Sequence, residues 1–291
     1  MQNSISTFTY KILSLSFGFL LISGIATAMA DTTDILPPSS TSIFQEFSSN
    51  EVVNITIETA IDSLIANKKT VNYQAATLQI NNKSYNIKVR PRGRSRRTYC
   101  DFPPLKLNFS KKGLANLGLN PDYKSIKLVT HCMDSKEASD NVLEEYLAYK
   151  LYNVLTNNSF HAQLVKVNYV DTNTGKTFKR FGILLENTKE MAQRLGGKEI
   201  ETMGIPMEQF NQEQLNILSV FQFMIGNEDW RLKYLRNTKM VQMSNGEIQA
   251  IPYDFDAAGL VNAAYARPDS CLLYTSPSPR DATLSRMPSS A

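Results

Sequence analysis

Apolar residues at every second position, broken by turn-forming clusters, constrain this chain more than any other feature. Val53, Ile55 and Ile57 share one face of the segment 51–58, which is the period of a half-buried strand. The same alternation predicts strands over 70–80 and 84–90, joined at the turn-rich triplet Asn81-Asn82-Lys83. Further strands are expected over 105–109, 125–130, 163–170 and 178–185, the last two separated by Asn173-Thr174-Gly175. A final hairpin pairs 238–243 with 248–252 across Ser244-Asn245-Gly246. Helical spacing is clearest over 140–155, where Val142, Leu143, Tyr146, Leu147, Leu151 and Val154 form an apolar stripe. Shorter helices are predicted over 62–68, 188–195 and 212–225. Strands dominate the first half and helices enter in the second. The expected class is therefore α+β, with a sheet-rich lobe over 50–186 followed by a more helical lobe over 187–268.

The two ends read differently from this body. Residues 1–30 have a polar start ending at Lys11, an apolar run from Ile12 to Ile25, and an Ala28-Met29-Ala30 site, the three parts of a secretory signal peptide. The run is about 14 residues, short of the roughly 20 that span a bilayer as a helix. The expectation is export to the periplasm or beyond the cell, with no transmembrane anchor after cleavage. Residues 31–49 are Ser/Thr/Pro-rich and read as a flexible linker. Residues 269–291 lack either period and resemble translated sequencing-adapter read-through, so they are set aside as a foreign tail.

Composition closes several doors. Two histidines, His131 and His161, and three cysteines, Cys100, Cys132 and Cys271, cannot build a histidine-based zinc site or a four-cysteine cluster. No G-x-S-x-G elbow accompanies the histidines. An oxidising compartment would allow Cys100 and Cys132 to pair, against the alternative of two buried thiols. A net charge of +4 gives no argument for nucleic acid. The cations are instead clustered, with Arg90, Arg92, Arg94, Arg96 and Arg97 inside eight residues. Arg90, Arg92 and Arg94 share parity, so an extended chain points them to one side. Guanidinium forks suit phosphate.

Two acidic loops carry the candidate chemistry. Gly226-Asn227-Glu228-Asp229-Trp230 follows an apolar helix and precedes Arg236-Asn237; Pro252-Tyr253-Asp254-Phe255-Asp256 follows the final hairpin. A loop with Asp then Asn, a hairpin, and a loop with Asp is the order of parts in kinase-type phosphoryl transfer. There one carboxylate accepts a hydroxyl proton while Asn and the later Asp hold a metal. Oxygen ligands of this kind suit Mg²⁺. Asp229 and Asn237 stand eight apart where ordinary protein kinases have five, so the loop must bulge.

Arg92-Gly93-Arg94-Ser95, the Lys106 strand, the helix over 140–155, Gly226-Asn227-Glu228-Asp229 and Pro252-Tyr253-Asp254-Phe255-Asp256 resemble the spore-coat protein H (CotH) kinase family. More closely they resemble a set of exported bacterial relatives, over roughly residues 50 to 268. That resemblance implies an atypical protein-kinase-like two-lobed fold that binds ATP and Mg²⁺ and transfers phosphate to a hydroxyl of a protein substrate. It implies Asp229 as the catalytic carboxylate, Asn237 and Asp254 as metal ligands, and Asp256 as a second metal or structural carboxylate. Glu228 and Arg236 depart from the family, which often has a small residue and His there. The phosphate-holding lysine is Lys106 or Lys127; its partner on the helix is Glu144 or Glu145, with the resemblance favouring Glu145. A helical wheel puts Glu144 at the edge of the apolar stripe and Glu145 on the open face. Arg92 and Arg94 are expected over the phosphates, and Phe181-Gly182-Ile183-Leu184-Leu185-Glu186-Asn187 where a kinase hinge would pass the adenine. A non-catalytic binding or envelope and surface assembly protein is the rival expectation.

Overall fold

The computed structural model describes residues 41–266, so the expected signal peptide, the first part of the linker and the foreign tail lie outside the described residues. Seven strands close into a barrel in the order β1-β2-β3-β4-β5-β7-β6. They are β1 (Val53–Thr59), β2 (Gln74–Ile80), β3 (Lys83–Pro91), β4 (Leu105–Phe109), β5 (Ser125–Val129), β6 (Ala162–Asp171) and β7 (Thr177–Leu185). Neighbours run antiparallel except at the closure, where β1 pairs parallel with β6 from Val53↔Val165 to Thr59↔Asp171. A three-stranded sheet, β8 (Gly197–Ile200), β9 (Thr238–Met243) and β10 (Ile248–Pro252), is ordered β10-β9-β8.

The helices are α1 (Ile43–Phe47), α2 (Ile61–Ala66), α3 (Arg96–Tyr99), α4 (Lys111–Asn116), α5 (Lys136–Leu155), α6 (Thr188–Arg194) and α7 (Gln212–Met224). Among the described residues no helix is long and apolar enough to cross a membrane.

The expected two-lobed, kinase-like α+β fold is overturned by the closed barrel. One core runs across the expected boundary at 186. Along β5 and β7 successive side chains face opposite ways. Leu128 and Leu184 join the barrel core with Ile57, Leu107 and Val167. Val129, Ile183 and Leu185 face outward into a second core with Tyr149 and Tyr152 of α5, Phe221 of α7, and Phe255. Strand periodicity is local and says nothing of partners. The parallel pairing of β1 with β6, more than a hundred residues apart, is therefore invisible to it.

The predicted linker also ends earlier than expected. Ser42 caps α1 by accepting from Gln45 N–H at 3.0 Å, and the Gln45 side chain returns a bond to Ser42 N–H at 3.2 Å, a capping box. Ile43, Phe44 and Phe47 of α1 are buried in the barrel core. Cys100 and Cys132 form a disulfide across a sequence separation of 32 residues.

Candidate functional site

A basic cleft of about 660 Å³ opens on the outside of β3, β4 and β5. Its row of cations is set by strand register. Arg90 on β3 stands opposite Lys106 on β4, and Lys106 stands opposite Lys127 on β5. All three line the cleft together with Arg92, Arg94, Arg97, Lys124 and Lys189, against the carboxylates Asp122 and Glu199. Directly opposed like charges destabilise a sheet. Eight cations facing two acids leave the cleft with a strong appetite for an anion.

Lys127 is the most constrained member. Its Nζ donates to Thr188 Oγ1 at 3.3 Å and lies 5.3 Å from the Phe160 ring and 4.9 Å from that of Tyr253. Burial, with the neighbouring charges of Arg92 and Lys239, pushes its ammonium down to about 7. Tyr253 immediately precedes Asp254, whose charge also reaches Lys127, so the cleft adjoins the acidic loops.

The acidic loops are pinned to each other through the backbone. Gly259 N–H donates to the Gly226 carbonyl and Leu260 N–H to that of Ile225, both at 2.9 Å, while Tyr253 N–H donates to the Asn237 carbonyl at 3.1 Å. The long spacing between Asp229 and Asn237 is absorbed by a bridge in which Arg231 and Arg236 exchange backbone bonds of 3.0 Å. Asn237, in the left-handed region at φ 49°, then returns its Nδ2 to Asp229, at 2.7 Å from the carbonyl and 2.9 Å from the carboxylate. Asn227 accepts from Asp229 N–H at 2.9 Å and donates to Gln222 of α7 at 2.9 Å, which ties the loop to its helix. Burial raises the Asp229 carboxyl; Arg236, which ion-pairs with it, opposes that rise, and Asp254 adds to it.

Asp254 also sits in the left-handed region, at φ 66°. Its N–H donates to the buried Tyr149 hydroxyl at 2.8 Å, and its carboxylate pairs with Arg96 at 3.1 Å. Asp256 is buried and lies 2.5 Å from the same Arg96 nitrogen; Glu145, also buried, lies 3.8 Å from it. Burial holds Glu145 well above the usual carboxylate range despite Arg96. Asp256 is raised by burial too, with Arg96 opposing.

The predicted residues thus fall into three groups. Arg92, Arg94, Lys106 and Lys127 share the cleft. Asp229 and Asn237 are bonded to each other, and Asp254, Asp256 and Glu145 meet at Arg96. Asp254 and Asn237 suit a divalent ion held by few protein groups. Asn237 has its amide nitrogen pinned, so its amide oxygen would be the ligating atom, and Arg96 takes only one oxygen of Asp254. Asp256 does not join them, because its carboxylate is committed to Arg96 and Tyr265. Among the described residues no group of three or more His, Cys, Asp and Glu is arranged to hold a metal.

Three placements differ from expectation. Glu145 lies on the buried face of α5, and Glu144 is half-buried beside Asn141, whose Nδ2 donates to it at 3.2 Å. The 181–187 segment offers no free hinge, since Leu185 pairs with both Lys127 and Ala162. Glu186 N–H donates to the His161 carbonyl at 3.0 Å, and its carboxylate is clasped by Arg194 at 2.8 and 2.9 Å. Arg96, the centre of the carboxylate cluster, was hidden among its neighbours. Its only signal in the chain is that it follows Gly93 and precedes Cys100, a turn and a cross-link that take one arginine out of the row. Trp230 packs against a third core around Leu218, Met240 and Ile248. His131 stacks on Phe102 at 5.0 Å, and burial lowers it to about 4, the behaviour of a core histidine. No family model matches this chain, and no curated protein is detectably similar to it in sequence.

Proposed function

We propose that this chain binds the phosphates of ATP in the basic cleft and, with Mg²⁺, transfers the terminal phosphoryl group to a hydroxyl of a protein, acting after export from the cytoplasm. The observation that carries this reading is the row Arg90–Lys106–Lys127, three cations at opposed register positions with the acidic loops at its end. An anion lying along the row relieves the mutual repulsion, and a triphosphate is long enough to touch several of its members. Arg92 and Arg94 close over it from the turn at Gly93.

In the transfer itself the acceptor oxygen forms a bond to the terminal phosphorus as the bond to the bridging oxygen breaks. ADP leaves, and the hydroxyl proton passes to the Asp229 carboxylate. Burial, which raises Asp229, makes its carboxylate a stronger proton acceptor than an ordinary aspartate. Asp254 and Asn237 would hold the metal, which supplies charge neutralisation between the phosphates. The proposal rests on these side chains and not on a kinase fold.

A second reading has its own support. Asp229 is ion-paired with Arg236 and Asp254 with Arg96, which fits an anion-binding module of the cell envelope that performs no transfer. Thermal melting with ATP and Mg²⁺ separates the two when joined to a transfer assay with labelled ATP. The enzyme reading expects a rise in Tm that Asp254→Ala loses, and transfer that Asp229→Asn loses. A Tm rise with ATP, unaffected by Mg²⁺ and accompanied by no transfer to any envelope protein, selects the binding module. No rise at millimolar nucleotide rejects ATP as the ligand.

A further inference from the structure

Three acidic side chains from two distant parts of the chain converge on one nitrogen. Arg96 Nη2 lies 2.5 Å from Asp256, 3.1 Å from Asp254 and 3.8 Å from Glu145. Arg96 is 6% exposed, Asp256 6% and Glu145 2%. Carboxylates gathered this closely in the interior cannot stay charged without a cation among them, since each pays a desolvation cost of several kcal/mol. In many proteins that cation is a divalent ion reached by carboxylate oxygens from several elements. Here a guanidinium nitrogen occupies the focus. The second Glu145 oxygen, Oε1, is buried and makes no hydrogen bond, so the guanidinium as placed leaves one acceptor at this focus unsatisfied.

Arg96 is delivered there by local structure. Gly93, at φ 83°, ends the extended run of β3 in a conformation that a side chain resists. The chain then folds into the single turn of α3, whose C-terminus is capped by Cys100 N–H donating to the Arg96 carbonyl at 3.0 Å. The disulfide to Cys132 fixes that cap. Arg97, next in the chain, turns the other way and donates to the Gly93 and Lys69 carbonyls, both at 2.6 Å.

We propose that Arg96 is a resident cation standing at the position of a second metal ion, so that Asp256 and Glu145 are reserved for protein and Asp254 alone of the three is shared with a bound divalent ion. Arg96 is a positioning residue: it touches Asp254, not the substrate. The inference deepens the phosphoryl-transfer reading by assigning that site one metal in place of two.

Mn²⁺ binding to the full chain without nucleotide, counted by electron paramagnetic resonance and calorimetry, tests this separately from the ATP experiment. Arg96→Met is expected to bind one more Mn²⁺ per chain than the wild type, and Arg96→Lys, which keeps a charge at the focus, is expected to gain none. Should Arg96→Met fail to fold alone, refolding in millimolar Mn²⁺ is expected to restore it with the extra ion bound. A folded Arg96→Met with no added Mn²⁺ overturns the proposal. So does an Arg96→Met that Mn²⁺ does not rescue while Asp256→Asn in the same chain does, because the site then needs only fewer charges and not a metal in the arginine's place.

Discussion

Lys106 and Lys127 occupy directly opposed positions on adjacent antiparallel strands, an arrangement that costs the unliganded sheet stability and favours any anion able to bridge them. Replacing Lys127 with Met is therefore expected to leave the free protein at least as stable as the wild type. Its affinity for ATP is expected to fall by about 10- to 100-fold, the loss of one charge-assisted hydrogen bond worth about 1.5–3 kcal/mol. Isothermal titration beside urea unfolding separates the two effects.

The same lysine sets a pH dependence. Its folded value of about 7 lies below the ordinary 10.5, so between these values the unfolded chain holds a proton that the folded one lacks. The contribution of Lys127 to stability consequently rises with pH across that window. Anion binding runs the other way, since the phosphate prefers the charged amine. Affinity is expected to fall as pH rises above about 7, by up to about tenfold per pH unit, with proton uptake on binding. Titrations in buffers of different ionisation enthalpy measure that uptake, and Lys127→Arg is expected to abolish it.

Tyr149 supports the backbone of Asp254. Removing its hydroxyl in Tyr149→Phe leaves the Asp254 N–H without its 2.8 Å partner, in a residue already held at φ 66°. A loss of about 1–3 kcal/mol is expected, read as a lower urea midpoint at unchanged slope.

The disulfide closes a segment spanning 32 residues that contains β4, α4 and β5. Chain entropy assigns such a loop about 3–4 kcal/mol. Cys100→Ser with Cys132→Ser is expected to lower stability by that order. Because Cys100 caps the turn that carries Arg96, the double variant is also expected to show faster hydrogen exchange over 93–100 than over β9 and β10.

The two faces of α5 give a fifth test. Tyr152 is 1% exposed and Val154 84%. Tyr152→Ala is expected to cost about 3–5 kcal/mol, in the manner of other large core truncations, and Val154→Ser to stay within about 0.5 kcal/mol.

That helix also marks the limit of what the sequence reveals. The apolar stripe runs through Leu147, Leu151 and Val154, yet these are exposed, and the packed face is Ala138, Val142, Glu145, Ala148, Tyr149 and Tyr152. Tyrosines and a glutamate satisfied by partners distant in the chain outcompete leucines for the interior, and a hydropathy wheel cannot see those partners. By contrast β4, β9 and β10 begin and end where alternation and turn residues put them, because strand limits depend on local chemistry. Strand β8 was missed; at four residues it is too short for a period to register. The basic row was half legible. Parity grouped Arg90, Arg92 and Arg94, and all three do line one cleft, but their opposition to Lys106 and Lys127 is a matter of register between strands. Arg96 was unreadable for a related reason: only the left turn at Gly93 separates its fate from that of Arg94.

The parallel seam between Val53 and Val165 has a consequence for biogenesis. An N-terminal strand whose partner is made more than a hundred residues later must wait, unpaired on one side, while the intervening chain emerges. Contacts of such long range slow folding. A polypeptide of this topology stays threadable through a narrow pore for longer than one built from successive hairpins, because β1 gains its second partner only once β6 has been made.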